Sequence, residues 1–231
     1  MFQRVPWPQL EANLRANWKQ SQHVLAVAPT GRGKTVLMQK LAPMRRDVVM
    51  FGTKTHDEEY DHMLSHQGWT RVRKWPPPAN VNRALFWPTS GATMADTRAI
   101  QREAFSKSLD SLFRGGKWTV VFDELHWISE ALGQRENIAH MHHQGRSSKL
   151  TFLDGFQRPA FVPVIVYSSA SHVFVWGTNY KADLDKLSSV AKLDTLNRAE
   201  LRSLMADLGE HEFVYVNTRG KMPPVISQVR R

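Results

Sequence analysis

A lysine and a threonine, Lys34 and Thr35, close the run APTGRGKT at 28–35, with Gly31 and Gly33 just before them. Glycines let backbone N–H groups converge on an anion. The lysine then reaches the outer phosphates, and a hydroxyl at the start of a following helix is a hard oxygen donor for Mg2+. An apolar run, VLAV, precedes the loop, and the amphipathic stretch VLMQKL follows it. That strand-to-helix setting adds the favourable end of the helix dipole to the anion site. The residues expected around the phosphates are Ala28, Pro29, Thr30, Gly31, Arg32, Gly33, Lys34, Thr35 and Val36. Ala28 stands where the pattern GxxxxGK[ST] has its first glycine. ATP with Mg2+ is the cofactor set this chemistry implies.

Two adjacent acids, Asp123 and Glu124, end the apolar run WTVVF at 118–122. A parallel strand delivers its last residues to the edge of the sheet where ligands of open α/β sheets lie. Asp123 is therefore expected to hold the metal together with Thr35, and Glu124 to polarise the water that attacks the γ-phosphate. An acid beside the magnesium aspartate suits water as nucleophile, so hydrolysis is favoured over transfer to a substrate hydroxyl.

A second apolar run, KLTFL at 149–153, is bracketed by Arg146 and by Gln157-Arg158-Pro159. If this strand lies beside the one carrying the acids, Gln157 falls just past its C-terminal end, where an amide can touch the γ-phosphate or the attacking water. Arg146 falls at the opposite edge of the sheet and cannot readily reach its own nucleotide. Such an arginine can serve the site of a neighbouring subunit, in trans, and that reading requires an oligomer. The plain alternative is a surface arginine capping a helix end.

The elements that must position these groups repeat in order. Apolar runs start at 23, 47, 83, 118, 149, 172 and 212, and stretches of helical length fill 34–41, 57–65, 93–113 and 128–144. Continuous apolar strands alternating with helices predict a mostly parallel sheet covered on both faces, a three-layer α/β fold. RVRK at 71–74 and the prolines at 76–78 read as an exposed loop at the sheet edge. From Asn197 onward one more helix and a β-hairpin, FVYVNTR with PPVISQV, are expected. The whole chain, 1–231, reads as one domain with a core over about 20–196 and the helix and hairpin added at 197–231.

Composition narrows the class. The formal charge is +10 and there is no cysteine. A polyanion is attracted to such a chain, nucleic acid being the commonest, and disulfide frameworks and cysteine-ligated metals are excluded. The N-terminus, broken by Arg4, Pro6, Pro8 and Glu11, has no apolar segment of the secretory kind. The uncharged stretch 161–177 contains Pro163 and His172 and reads as a short helix followed by a buried strand, so no membrane span is expected.

Other signals carry less. Glu136, His140 and His143 can share a helix face as metal ligands, with His142 beside them, but no zinc signature of the HExxH type is present. A solvated or subunit-facing helix is the simpler account. The string DELH at 123–126 is close to the acid box of two-domain helicases, for which the chain is too short. Trp87, Trp118 and Trp176 sit at strand ends as core or rim residues. The cations of RVRK and of Arg230-Arg231 are candidate contacts to DNA phosphates.

Taken in order, APTGRGKT, FDEL and QGRSSKLTFLDGFQRP resemble the FtsK/HerA class of P-loop ATPases, in which an arginine precedes a strand ending in T-Q-R-P. Gly155 and Phe156 stand before Gln157 here, so the threonine of that pattern is absent. The resemblance runs from about Val24 to Trp176 and continues through TNYKADLDKLSSV, which looks like the closing strand and helix of the class. It implies a RecA-like P-loop fold and an ATP-driven ring, pentameric or hexameric, that moves double-stranded DNA. Lys34 and Thr35 then belong to the phosphate loop, Asp123 and Glu124 to the magnesium and water site, Gln157 is the sensor and Arg146 the trans arginine finger. The small size points to the minimal viral genome-packaging ATPases, with capsid or portal-vertex proteins as further partners and the host cytoplasm or the virion vertex as location. The competing expectations are a phage assembly or secretion ATPase acting on protein at a membrane, a helicase-like protein, and a regulatory nucleotide-binding protein without turnover.

Overall fold

The computed structural model of the chain describes residues 2–190 and 192–230. Every apolar run named above forms a strand. In chain order the strands are β1 (Gln3–Arg4), β2 (His23–Val27), β3 (Val48–Phe51), β4 (Thr70–Val72), β5 (Arg83–Phe86), β6 (Thr119–Phe122), β7 (Thr151–Phe156), β8 (Ala170–Trp176), β9 (Glu212–Asn217) and β10 (Val225–Gln228). They make one sheet in the order β1-β10-β9-β8-β2-β7-β6-β3-β5-β4. All pairings from β8 to β4 are parallel, and β9 runs antiparallel to both β8 and β10. The last two strands are thus the expected hairpin, joined to the sheet edge.

Helices cover both faces. On one, α1 (Trp7–Asn17), α2 (Lys34–Leu41) and α3 (Glu58–His66) bury Leu14, Leu37, Met38 and Met63 against Val24, Val121 and Leu153. On the other, α4 (Met94–Gly115), α5 (Arg135–Gln144), α6 (Val164–Ser169), α7 (Lys181–Leu187) and α8 (Arg198–Ala206) bury Phe105, Met141, Val166, Leu184 and Leu201 against Leu25, Phe122 and Phe152. The strands are apolar on both sides because both sides are covered. Local chemistry starts the longer helices. The Asp57 carboxylate accepts the Glu59 and Tyr60 N–H groups at 2.9 and 3.1 Å, and Thr93 with Asp96 forms a reciprocal capping box.

Four expectations are corrected. RVRK is not all loop: Arg71 and Val72 belong to the edge strand β4, and Arg71 stacks on Trp87 at 4.0 Å. The helix expected over 128–144 is broken, because Gly133 takes a left-handed φ of 65° that ends a π-helical turn at Trp127–Ala131 before α5 begins. α5 is not simply a solvated helix, since His142 is buried on Phe152 and lies 3.4 Å from Asp154 Oδ2. No strand forms at 178–180, so β8 is the last parallel strand and α7 follows a loop. The stretch 161–177 divides into α6 and β8, and among the described residues no helix is long and apolar enough to cross a membrane.

Two buried histidines give the fold an acid limit. Burial, aided by nearby His142, Arg219 and Arg146, pushes His23 down to about 3, and burial beside Arg45 and Arg219 pushes His172 down to about 4. Neutral His172 accepts from the Tyr215 hydroxyl at 2.8 Å and donates to Gln22 Oε1 at 3.3 Å. The unfolded chain binds these protons near pH 6.5 and the folded chain does not. Stability is therefore complete above that pH and falls as pH drops toward 4, by about 1.4 kcal/mol per unit for each histidine. Urea midpoints at pH 7.5, 5.5 and 4.5 should decline in that order. A flat series would contradict the neutral buried histidines.

Candidate nucleotide-binding site

The central strands place the chemistry. β7 lies between β2, which leads into the phosphate loop, and β6, which ends at the acids. All three run parallel, so Ala28–Thr35, Asp123-Glu124 and Gln157 emerge at the same edge. Between them opens a cleft of about 830 Å³ lined by Pro29, Thr30, Gly31, Gly33, Lys34, Thr35 and Val36, by Asp123 and Glu124, and by Gln157.

Within the loop the glycines are required by conformation. Gly31 and Gly33 have φ of 81° and 99°, which an L side chain rarely adopts. Gly33 also stands immediately before α2, so the first free N–H groups of that helix face the cleft. Ala28 is buried under the loop with its N–H on Phe156 O at 3.0 Å, and a small side chain suffices there. Arg32 turns aside, donating to Glu210 O at 3.2 Å.

Lys34 and Asp123 are both nearly buried, and Lys34 Nζ donates to Asp123 Oδ1 at 3.0 Å and to the Asp123 carbonyl oxygen. Thr35 Oγ1 donates to Asp123 Oδ1 and Oδ2 at 3.2 and 3.0 Å. The threonine hydroxyl and the aspartate carboxylate therefore converge as hard oxygen donors, the set that Mg2+ takes. One step along the chain, Glu124 Oε2 accepts from Gln157 Nε2 at 2.9 Å. The acid expected to polarise water and the amide expected to sense the phosphate are thus in direct contact.

Gly155 has its own reason. A Cβ at this position would stand 2.4 Å from the Asp123 carbonyl oxygen and 2.8 Å from Met38 Cε, so only glycine lets β7 approach the acid turn this closely. Phe156, where the T-Q-R-P pattern has its threonine, packs in the core away from the cleft. Gly155→Ala should lower stability by about 1–3 kcal/mol through overpacking and displace the Asp123 turn. A variant with both the wild-type urea midpoint and wild-type hydrolysis would rule this out.

The turn after Gln157 is fastened from below. Buried Asp183 accepts from Ala160 N at 3.1 Å, Thr178 Oγ1 at 2.9 Å and Arg158 Nε at 3.3 Å, and Arg158 stacks on Tyr180 at 4.3 Å. Asp183 was invisible from spacing, as were Thr53, Lys54, His211 and Val229, which line the cleft from distant loops. Trp127 also lines it, and its closeness to the acids was a signal the sequence did carry. Arg230, a candidate DNA contact by sequence, lines the nucleotide cleft instead, and Arg231 lies outside the described residues. Arg146 is exposed in the loop leading into β7, at the edge opposite the cleft, so the structure does not bring it to the site of its own chain. Of the histidine group, His140 packs on Phe113 at 4.8 Å and His142 faces Asp154, so they do not converge on one point.

No protein-family model and no curated protein matches the chain. Solved structures do. The genome packaging NTPase B204 from Sulfolobus turreted icosahedral virus 2, in complex with AMPPCP, superposes with a TM-score of 0.62 at 15% identity, over 92% of this chain and 100% of that one. VirB4 of Thermoanaerobacter pseudethanolicus gives 0.63 at 10% identity over 90% and 89%. The bacterial conjugative coupling protein TrwBdeltaN70 gives 0.59 at 12% over 99% and 93%. Fold and site geometry together define a RecA-like P-loop nucleotide-binding fold. Within that class the chain shares the fold of these three proteins, and it spans the whole length of the packaging NTPase it resembles.

Proposed function

We propose that the chain is a Mg2+-dependent ATPase that drives double-stranded DNA through a homo-oligomeric ring, as the genome-packaging motor of a virus. The observation that carries this reading is the Gln157–Glu124 contact beside Lys34, Thr35 and Asp123 in one cleft. A bound triphosphate would lie with its outer phosphates against the N-terminus of α2, where backbone N–H groups and Lys34 hold them. Mg2+ at Thr35 and Asp123 would neutralise charge on the β and γ oxygens. Lys34 would exchange its present hold on Asp123 for the phosphate. Glu124 would take the proton of the attacking water, and Gln157, bonded to Glu124, would orient that water and lose a partner when the γ-phosphate leaves. Gln157 continues into the Arg158–Asp183 turn, a route by which loss of phosphate could reach α7.

Oligomerisation enters through Arg146, proposed to act in a neighbour's site and so to complete each cleft in trans. The net charge of +10 supports a phosphate-backbone partner gripped without reading sequence. The host cytoplasm or the virion vertex, with capsid or portal-vertex contacts, belongs to the same proposal. The test is ATP hydrolysis per subunit against protein concentration, with and without duplex DNA. A rate that climbs with concentration and again with DNA supports a ring motor. A rate indifferent to both removes it.

A further inference from the structure

Opposite the cleft, three loops feed the three central strands: 18–22 into β2, 115–118 into β6 and 145–150 into β7. They contain Lys19, Lys117, Arg146 and Lys149 and no acidic residue. Adjacent strands lie about 4.8 Å apart, so these loops share a patch scarcely wider than a triphosphate. All four cations are exposed, and among the described residues none has a side-chain hydrogen bond or ion pair. Lys117 and Lys149 moreover have left-handed φ of 67° and 56°, a conformation that glycine or asparagine adopts with less strain.

The patch is also rigidly built. Gln20 Nε2 donates to Lys149 O at 2.6 Å and to Lys117 O at 3.3 Å, and Lys117 N donates to Ser148 O at 2.9 Å. Ser21 N is fixed to Thr151 Oγ1 at 2.8 Å. One glutamine therefore pins together the two strained lysines on either side of the β6–β7 junction, with Arg146 in the same loop as Lys149. Strain kept at two lysines, in a patch held still and left without an anion, points to a ligand that supplies the anion.

The nucleotide cleft has the complementary deficit. In the proposed mechanism Lys34 is committed to the outer phosphates, and among the described residues the other cations around the cleft are engaged by their own chain: Lys54 by Asp57, Arg32 by Glu210 O, Arg158 by Asp183 and Arg230 by Gln228. The phosphoryl group in flight spreads negative charge over its oxygens, and among the described residues no spare cation of the same chain faces the Glu124–Gln157 end.

We propose that Lys117 and Lys149 act with Arg146 as one cation cluster that engages the triphosphate bound in a second copy of the chain. The inference rests on the ring-ATPase reading and extends it from one residue to a preformed surface. It also sets the direction of association: the strand-start edge of one copy meets the strand-end edge of the next, a heterologous contact of the kind that makes a ring when its rotation closes.

The test uses the full chain carrying Lys117→Asn with Lys149→Asn, since asparagine tolerates the left-handed backbone and removes both charges. At concentrations where the wild type is most active, kcat should fall about tenfold or more. Binding of a fluorescent ATP analogue should persist and the melting temperature should not drop. The double Lys→Arg variant should keep its activity. Mixing the Asn variant, whose own cleft is intact, with Glu124→Gln subunits, whose basic patch is intact, should restore hydrolysis. An unchanged kcat, or a loss that mixing does not restore, overturns the cluster. So does loss of duplex DNA binding with DNA-free hydrolysis intact, because the patch is then a nucleic-acid surface. A wild type without hydrolysis removes the motor reading and this inference with it.

Discussion

Glu124→Gln should lower kcat by about 10²–10⁴-fold while ATP binding stays near the wild-type level. The amide keeps the size of the carboxylate and can still meet Gln157, 2.9 Å away, so the cleft retains its shape. It cannot accept a proton from water. Lys34, Thr35 and Asp123, which hold the phosphates and metal in the proposed mechanism, are untouched. Filter binding of labelled ATP together with single-turnover hydrolysis separates the two quantities. If the variant turns over at the wild-type rate, Glu124 is not the base; if it loses ATP as well, the substitution has disturbed the fold and circular dichroism will show it. A regulatory nucleotide-binding protein, the non-enzymatic alternative, would not notice the change at all.

Arg146→Ala should give the second large effect. An arginine finger is worth about 10³–10⁵ in kcat. Because Arg146 is exposed and, among the described residues, makes no side-chain hydrogen bond or ion pair, its removal should leave folding stability within about 0.5 kcal/mol. The loss should appear only where subunits are assembled: wild-type activity per subunit rises with concentration, and the variant's stays low and flat. Equal curves for the two proteins would return Arg146 to the status of an ordinary cation at the end of α5.

The two variants probe different kinds of knowledge. Lys34, Thr35, Asp123 and Glu124 were readable because their chemistry is local. A loop that cradles phosphate must put its glycines, lysine and hydroxyl within eight residues, and an acid pair at a strand end must follow directly on an apolar run. The run 149–153 was readable as a strand and Gln157 as its C-terminal neighbour for the same reason. The far wall of the cleft was not. Thr53, His211 and Val229 arrive from loops after β3, before β9 and after β10, and nothing in their neighbourhoods distinguishes them from other loop residues.

Packing decided the remainder. A three-residue edge strand at Thr70–Val72 forms because β5 offers it a partner, and the same residues read as a basic loop when no partner is known. His142 read as one of several histidines on a helix until Phe152 and Asp154 enclosed it. Gly155 became necessary only when β7 settled between β2 and β6, against the Asp123 carbonyl.

The sequence by itself determined the phosphate loop, the acid pair and the alternation of buried strands with helices, because each depends on backbone conformation and polarity over a few neighbouring residues. The tertiary structure alone decided which strands lie side by side, which cations are left without partners and which edge each functional group faces. Those follow from long-range burial, in which residues more than a hundred positions apart, such as Gln20 and Lys149, close onto one another.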